Sequence, residues 1–195
     1  MHRPVSGTIF SQGEPFSLPA SGCGLSVGNF DGVHLGHREI VRRLLALAGA
    51  RGLPAVAVTF DPHPAALLRP ESPPPLLTLP SRRAELLLSL GLQAVVAIET
   101  TPELLSLSAE AFYDQVLRGC LRGAALVEGD DFRFGAGRRG GTTDSPTRWV
   151  FSASSTRPES DAAGRGVFGT IDVLSGSKLC DAPAATSWVF SSSAM

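Results

Sequence analysis

The stretch Leu25-Ser26-Val27-Gly28-Asn29-Phe30-Asp31-Gly32-Val33-His34-Leu35-Gly36-His37 changes its period part-way along, and that change sets the fold. Residues 25–30 form a short apolar run that ends in a Gly-Asn-Phe-Asp-Gly turn, which predicts a strand. From His37 to Arg51 the spacing puts Ile40, Val41, Leu44, Leu45, Leu47 and Ala48 on one broad helical face, with Gly52 where a C-terminal cap would stand. Downstream, Ala55 to Phe60 is a β-branched strand that runs into Asp61-Pro62-His63-Pro64, which cannot continue it. A proline-rich loop from Pro70 to Pro80 follows. Ser81 is the expected N-cap of a helix from Arg82 to Leu90 that stops at Gly91. The third strand is expected at 94–98. Ser108 then caps a helix from Ala109 to Leu121, and the fourth strand covers 124–128. Apolar strands separated by amphipathic helices predict an α/β domain with a parallel sheet covered on both faces. In such a sheet, ligands bind beyond the carboxyl ends of the strands.

Composition narrows the function classes. The chain has 195 residues, and its 17 Lys plus Arg against 18 Asp plus Glu give a net charge of −1, which offers no broad basic surface for nucleic acid. The longest apolar runs are a few residues, so no membrane-spanning helix is expected, and no early stretch resembles a signal peptide. The expected location is cytoplasmic. Cys23, Cys120 and Cys180 are widely spaced with no CxxC pair, and they predict neither a zinc site nor a disulfide framework. The text changes at residue 142: 23 Leu and 10 Ser precede it, whereas 2 Leu and 11 Ser occupy the last 54 positions. Loss of leucine removes the usual buried stripe of a helix. We therefore expect a domain over residues 1–141 and a weakly ordered, Ser-rich tail over 142–195. A change of coding frame near Gly141 would produce such a break.

Three strand-end loops carry the candidate chemistry. In Gly28 to His37 the entering helix offers backbone amides and the positive end of its dipole to phosphate. His34 and His37, three residues apart, can face one ligand, and Gly36 between them leaves the backbone open to close approach. Imidazoles so placed suit stabilisation of charge growing on a phosphate. A lone loop histidine is ordinarily just solvated; two around a glycine at a strand–helix junction are what single these out. A metal site from His34, His37 and His63 lacks the i, i+4 spacing of a zinc helix, so no metal ligands are assigned. Neither GxxxxGK[ST] nor a helix-opening GxGxxG is present.

The second loop, Thr59 to Pro64, presents Asp61 and His63 on a backbone stiffened by two prolines; a plain rigid turn is the other reading. In the third, from Glu128 to Gly141, Phe132 and Phe134 suit a planar heterocycle, or alternatively pin the loop to the core. Arg138 and Arg139 could meet phosphate oxygens. Lys178 is the sole lysine, so a phosphate clamp within residues 1–141 must use arginine, histidine or backbone amides.

The runs GNFDGVHLGH (28–37), TFDPHP (59–64) and VEGDDFRFGAGRRG (127–140) resemble the N-terminal FMN adenylyltransferase module of the prokaryotic bifunctional riboflavin kinase/FAD synthetase. The likeness is collinear from about Ile9 to Gly141. It implies a Rossmann-like nucleotidyltransferase domain that moves AMP from ATP to FMN, yielding FAD and pyrophosphate, with Mg²⁺ accompanying ATP. By motif, His34 and His37 would contact the ATP phosphates and Gly28, Asn29, Phe30 and Gly36 would shape the nucleotide pocket. Asp61, His63, Asp131, Phe132 and Phe134 would lie toward the flavin or metal side.

The family continues with an Ile-Ser-Ser-Thr-x-Ile-Arg segment that closes over the phosphates. Here Ser155, Thr156 and Arg157 match its small residues, but Pro158-Glu159 follows and the segment arrives early after Gly141. The final 54 residues are too few for a riboflavin kinase barrel, so no kinase module is expected. Two other functions compete with FAD synthesis: a flavin- or nucleotide-binding fragment without turnover, and a related nucleotidyltransferase with another phosphorylated acceptor.

Overall fold

The computed structural model describes residues 5–12, 14–129 and 132–141, with the backbone of strand segments 151–153, 159–160, 166–167 and 189–194. Its centre is a run of parallel strands: β2 (Cys23–Val27), β3 (Ala55–Asp61), β4 (Ala94–Glu99) and β5 (Gly123–Glu128), ordered β4-β3-β2-β5. Helix α1 (Leu35–Ala50) crosses from β2 to β3, and α2 (Pro64–Leu68) and α3 (Pro80–Leu88) lie between β3 and β4. Between β4 and β5 come α4 (Pro102–Ser106) and α5 (Ala109–Ala111), the latter running into a π-helical stretch, Phe112–Cys120. β3 and β4 build outward on one side of β2, whereas β5 lies on its other side. That reversal makes a switch point at the carboxyl ends of β2 and β5, where such sheets open a crevice.

Alternation along the strands divides the core in two. Val56, Val58, Val96 and Ile98 meet Phe112, Val116, Leu117 and Leu121 on one face. Ala55, Ala57 and Val95 meet Val41, Leu44, Leu87 and Leu88 of α1 and α3 on the other. Each fully buried Val or Leu contributes about 1.5–3 kcal/mol, and both faces are covered.

The sheet is mixed rather than wholly parallel. A strand absent from the sequence reading, β1 (Ser6–Ser11), runs antiparallel to β4, with Gly7 opposite Ile98 and Phe10 opposite Val95. The tail segments β8 (Phe151–Ala153) and β11 (Val189–Ala194) extend the sheet in parallel beside β5 and β1. Two short antiparallel pairs, β6 (Arg133–Phe134) with β7 (Gly140–Gly141) and β9 (Glu159–Ser160) with β10 (Gly166–Val167), complete the elements. The expected weak order of the tail concerns residues that lie mostly outside those described.

Local boundaries shift for identifiable reasons. β2 stops at Val27, because Phe30 turns into the left-handed region with φ 49°. The N-cap of α3 is Leu79, not Ser81: Pro80 occupies the first helical position, which suits its missing N–H and fixed φ. Ser108 does cap α5, its side chain accepting from the Ala111 N–H. The expected long α-helix widens after one turn. The wider π turn gathers Phe112, Val116, Leu117, Cys120 and Leu121 into a narrower arc against the sheet.

Candidate active site

The turn after β2 is built from unusual backbone. Phe30, Gly32 and Val33 all have positive φ (49°, 71° and 41°), which for Phe and Val costs of order 1 kcal/mol or more each. Three observations show what holds them. The Phe30 ring is buried in the core, 1% exposed. The Asp31 carboxylate accepts the N–H groups of Leu77 and Thr78 at 2.8 Å and the Thr78 hydroxyl at 2.7 Å. The Gly32 N–H donates to Thr78 Oγ1 at 3.1 Å. The turn is thus tied to the end of the proline-rich strap that precedes α3. A Cβ at Gly32 would come within 2.9 Å of the Leu77 side chain, so glycine serves both the angle and the approach. Burial works against charge on Asp31, but the Leu77 and Thr78 donors and Arg83 outweigh it and lower its pKa to about 2.

This turn delivers the two histidines. His34 is the N-cap of α1, its Nδ1 accepting from the His37 N–H at 3.4 Å. With Nδ1 occupied as an acceptor, His34 has its other ring nitrogen free to donate on the side away from the cap. The imidazoles stack, with centroids 3.6 Å apart and planes 19° from parallel, and His37 meets the edge of Phe30 at 5.2 Å. Gly36 has a clear role: a Cβ there would press on the His34 ring at 3.2–3.3 Å. Burial, then the neighbouring His34, then Arg83 hold the His37 pKa down to about 4, against an upward pull from Asp31. At neutral pH His37 is therefore an uncharged donor. Its Nδ1 is buried with no hydrogen-bond partner among the described residues.

Beside this corner, at the switch point, lies a cavity of about 590 Å³. Val27, Gly28 and Asn29 of the β2 end, Phe60 and His63 of the β3 end, Phe112, and Phe132 to Gly135 with Arg138 line it. Its walls set a group of phenylalanines beside Leu68, Leu104 and Leu105, with Arg69 and Arg138 among the polar lining. Phe60 and Phe134 flank Phe112 at 6.4 and 6.0 Å, and Phe132 stacks on Phe134 at 5.3 Å with planes 20° apart. Phe134 is 8% exposed and part of the core, so it pins its loop, whereas half-buried Phe132 packs on that core from the cavity side. A second anchor comes from Ala136, whose N–H donates to the Leu107 carbonyl at 2.8 Å. Among the described residues the opening of the crevice is marked by Glu128. β2 and β5 are paired as far as Leu25 and Leu126; beyond that, the Val27 N–H donates to the Glu128 carboxylate instead of a strand carbonyl. Complete burial pushes the Glu128 pKa well above the carboxylate range, with the Val27 N–H opposing.

The candidate residues from the sequence therefore divide. His34, His37, Phe30 and Gly36 form the corner; Gly28, Asn29, His63, Phe132, Phe134 and Arg138 line the cavity. His63 caps α2, its Nδ1 accepting from the Ala65 N–H at 3.0 Å. Asp61 lies elsewhere, in a shallow depression with Ser6, Thr8 and Glu99. Arg139 is exposed and does not line the cavity. Asp131, Ser155, Thr156 and Arg157 lie outside the described residues. Sequence reasoning missed Arg83 and Glu128. A cation four residues before core Leu87 on an amphipathic helix was the available signal for Arg83, and a carboxylate ending an apolar strand was the signal for Glu128.

A sequence model of the FAD synthetase family matches residues 18–149, spanning both the strand-end loops and the intervening helices. The chain belongs to the FAD synthetase family. Members similar to it are bifunctional riboflavin kinase/FMN adenylyltransferases. The one from Escherichia coli (strain K12) is 38% identical over 122 residues, which is 63% of this chain and 39% of that protein. Its counterpart from Pseudomonas fluorescens is 40% identical over 119 residues, 61% of this chain and 38% of that protein. The Listeria monocytogenes protein is 34% identical over 121 residues, 62% of this chain and 38% of that protein. The chain thus spans about two fifths of the length of these relatives. A crystal structure from Streptococcus pneumoniae described as a macrolide-efflux protein superposes with a TM-score of 0.64 at 24% identity, covering 75% of this chain and 48% of that one. That likeness concerns the fold alone.

Proposed function

We propose that this domain is an FMN adenylyltransferase: it transfers AMP from ATP to the phosphate of FMN, giving FAD and pyrophosphate. The observation that carries the proposal is the adjacency of a polar corner presenting two stacked imidazoles at a helix N-terminus and an aromatic cavity at the same strand ends. A flavin ring is planar and apolar over most of its area, and about 590 Å³ walled by Phe60, Phe112 and Phe132 suits it. The triphosphate belongs at the corner, where the α1 amides and the imidazole N–H groups offer donors.

In the reaction an oxygen of the FMN phosphate attacks the α-phosphorus of ATP. The bridging bond from the α-phosphorus to its leaving oxygen breaks, and pyrophosphate departs with the electron pair. No covalent intermediate on the protein is needed; the protein aligns the two phosphates and stabilises charge spreading over the α-phosphoryl oxygens. His34 donates from the nitrogen remote from its cap. His37, neutral in the free domain, stabilises the same charge as a hydrogen-bond donor without itself gaining a proton. Mg²⁺ accompanies ATP and enters as part of that substrate. Both substrates are cytoplasmic metabolites, which supports a cytoplasmic setting.

The test is to incubate the purified chain with FMN, ATP and Mg²⁺ and to follow FAD by chromatography and pyrophosphate by a coupled assay. FAD with stoichiometric pyrophosphate is the expected result. Binding of FMN and ATP by calorimetry with no FAD would instead assign a binding fragment, which Pro158-Glu159 after Ser155-Thr156-Arg157 favours. Preference for CTP or phosphopantetheine would replace the flavin by another acceptor.

A further inference from the structure

Arg83 is the most deeply buried cation among the described residues, 1% exposed, and it sits on the core side of α3 just behind the corner. Burying a guanidinium is expensive unless its donors are matched. Here they converge on three separate segments. Nη1 donates to Thr59 Oγ1 at 3.1 Å, at the end of β3, and the Thr59 hydroxyl donates onward to the Asn29 carbonyl at 3.1 Å. Nη2 donates to the Thr78 carbonyl at 3.1 Å and stands 3.8 Å from the Asp31 carboxylate, while Nε reaches the Thr78 hydroxyl at 3.5 Å. One side chain therefore ties together the strained turn after β2, the β3 end and the strap, and it is not among the residues that line the cavity.

Resting on the adenylyl-transfer reading above, we infer that Arg83 is a positioning residue: through Thr59 and Asp31 it locks the Asn29–Val33 turn in the conformation that presents His34 and His37 to the triphosphate. The planar fork matters as much as the charge, because only a guanidinium can address Thr59, Thr78 and Asp31 at once. A structural cation elsewhere in the core would support folding equally but would have no reason to reach, through Thr59 and Thr78, the backbone of Asn29 and Gly32 on either side of Phe30. Arg83 also bears on His37 electrostatically. The charged or titratable groups that face His37 are His34, Asp31 and Arg83: His34 and Arg83 disfavour its protonation, and Asp31 favours it. Removing Arg83 takes away one of the repulsive partners and releases Asp31 from its ion pair, and both changes act in the same direction.

The test compares Arg83→Met, Arg83→Lys and the isosteric Thr59→Val in the full chain. His34 and His37 ring signals are followed by NMR titration, and kcat and KM are measured separately for ATP and FMN. In Arg83→Met, His37 should titrate at a higher pH than in the parent by about half a unit or more. Its turnover should fall about 10-fold or more, with KM for FMN within about 2-fold. Arg83→Lys should return the His37 midpoint toward the parent value while recovering only part of the turnover, because charge is kept and the fork is lost. Thr59→Val, which keeps the buried ion pair, should lower turnover several-fold with His37 unmoved; it decides the matter if Arg83→Met does not fold. An unmoved His37 with parental turnover in folded Arg83→Met, or parental kinetics in Thr59→Val, overturns the inference. If the parent makes no FAD, the adenylyl-transfer reading fails separately. The His37 titration in Arg83→Met, with binding of ATP measured by calorimetry, then still judges the positioning of the corner.

Discussion

The corner after β2 and the cavity between the β2 and β5 ends are neighbours, yet they are made in opposite ways. The corner is held by directed contacts: Asp31 on the Leu77 and Thr78 amides, Arg83 on Thr59 and Thr78, and a His34 ring seated over Gly36. The cavity is held by area, with Phe112 and Phe134 rooted in the core and Phe132 stacked on Phe134. Charge that appears for an instant on a phosphate needs donors already aimed, and hydrogen bonds with fixed partners supply that. A planar ring needs only a slot of the right width. The corner should therefore control rate, and the cavity should control which acceptor is held.

The sharpest way to break that contrast is at the imidazoles. Replacing His34 or His37 with Ala should lower kcat by about 10²-fold or more, with KM for FMN nearly unchanged. An equal loss in flavin affinity would mean the two regions are not separable. Next in size is Phe132→Ala, which should raise KM for FMN about 10-fold and leave KM for ATP alone, as measured by initial rates. Phe134→Ala reports on the same wall differently: it empties a core position and should cost about 3–5 kcal/mol in urea unfolding.

A smaller effect separates the corner from the rest by pH. His37 titrates near 4 in the folded chain against an ordinary 6.5, so between these values the unfolded chain binds more protons. Stability from the neutral ring is full above about pH 6.5 and drains away as pH falls toward 4. Asp31, held near 2 against an ordinary 3.8, continues the loss in the more acidic window. Glu128 runs the other way, since its raised pKa favours the folded chain at low pH. The urea midpoint measured from pH 7 to pH 4 should thus fall less steeply in His37→Gln than in the parent. An identical slope would show that His37 is not desolvated as the geometry requires.

Much of the framework was legible in the sequence because it depends on local pattern. The four parallel strands are apolar runs, three of them bounded by Gly, Pro or Asp, and α1 has a clear stripe. β1 was not legible: Ser6-Gly7-Thr8-Ile9-Phe10-Ser11 is half polar, and it becomes a strand only when β4 is beside it. Pro80 outweighed Ser81 because the first helical position tolerates a residue without an N–H, whereas a Ser cap one residue later has no turn left to close. The paired histidines and the phenylalanine pair could be picked out because residues of one chemistry lie close together in the chain. Asp31 meets Leu77 across 46 residues and Glu128 meets Val27 across 101, and no sequence spacing announces either. Arg83 reads as one more solvated helix cation until burial shows otherwise.

The grip of Asp31 on the strap has one more outcome. Everything the turn requires of that segment is concentrated at Leu77 and Thr78, while residues 71–76 are exposed. Evolution is consequently free to lengthen, shorten or recompose the chain between Arg69 and Leu76 without disturbing a single donor at the phosphate corner. The same bond that immobilises one end of the loop licenses drift in the other.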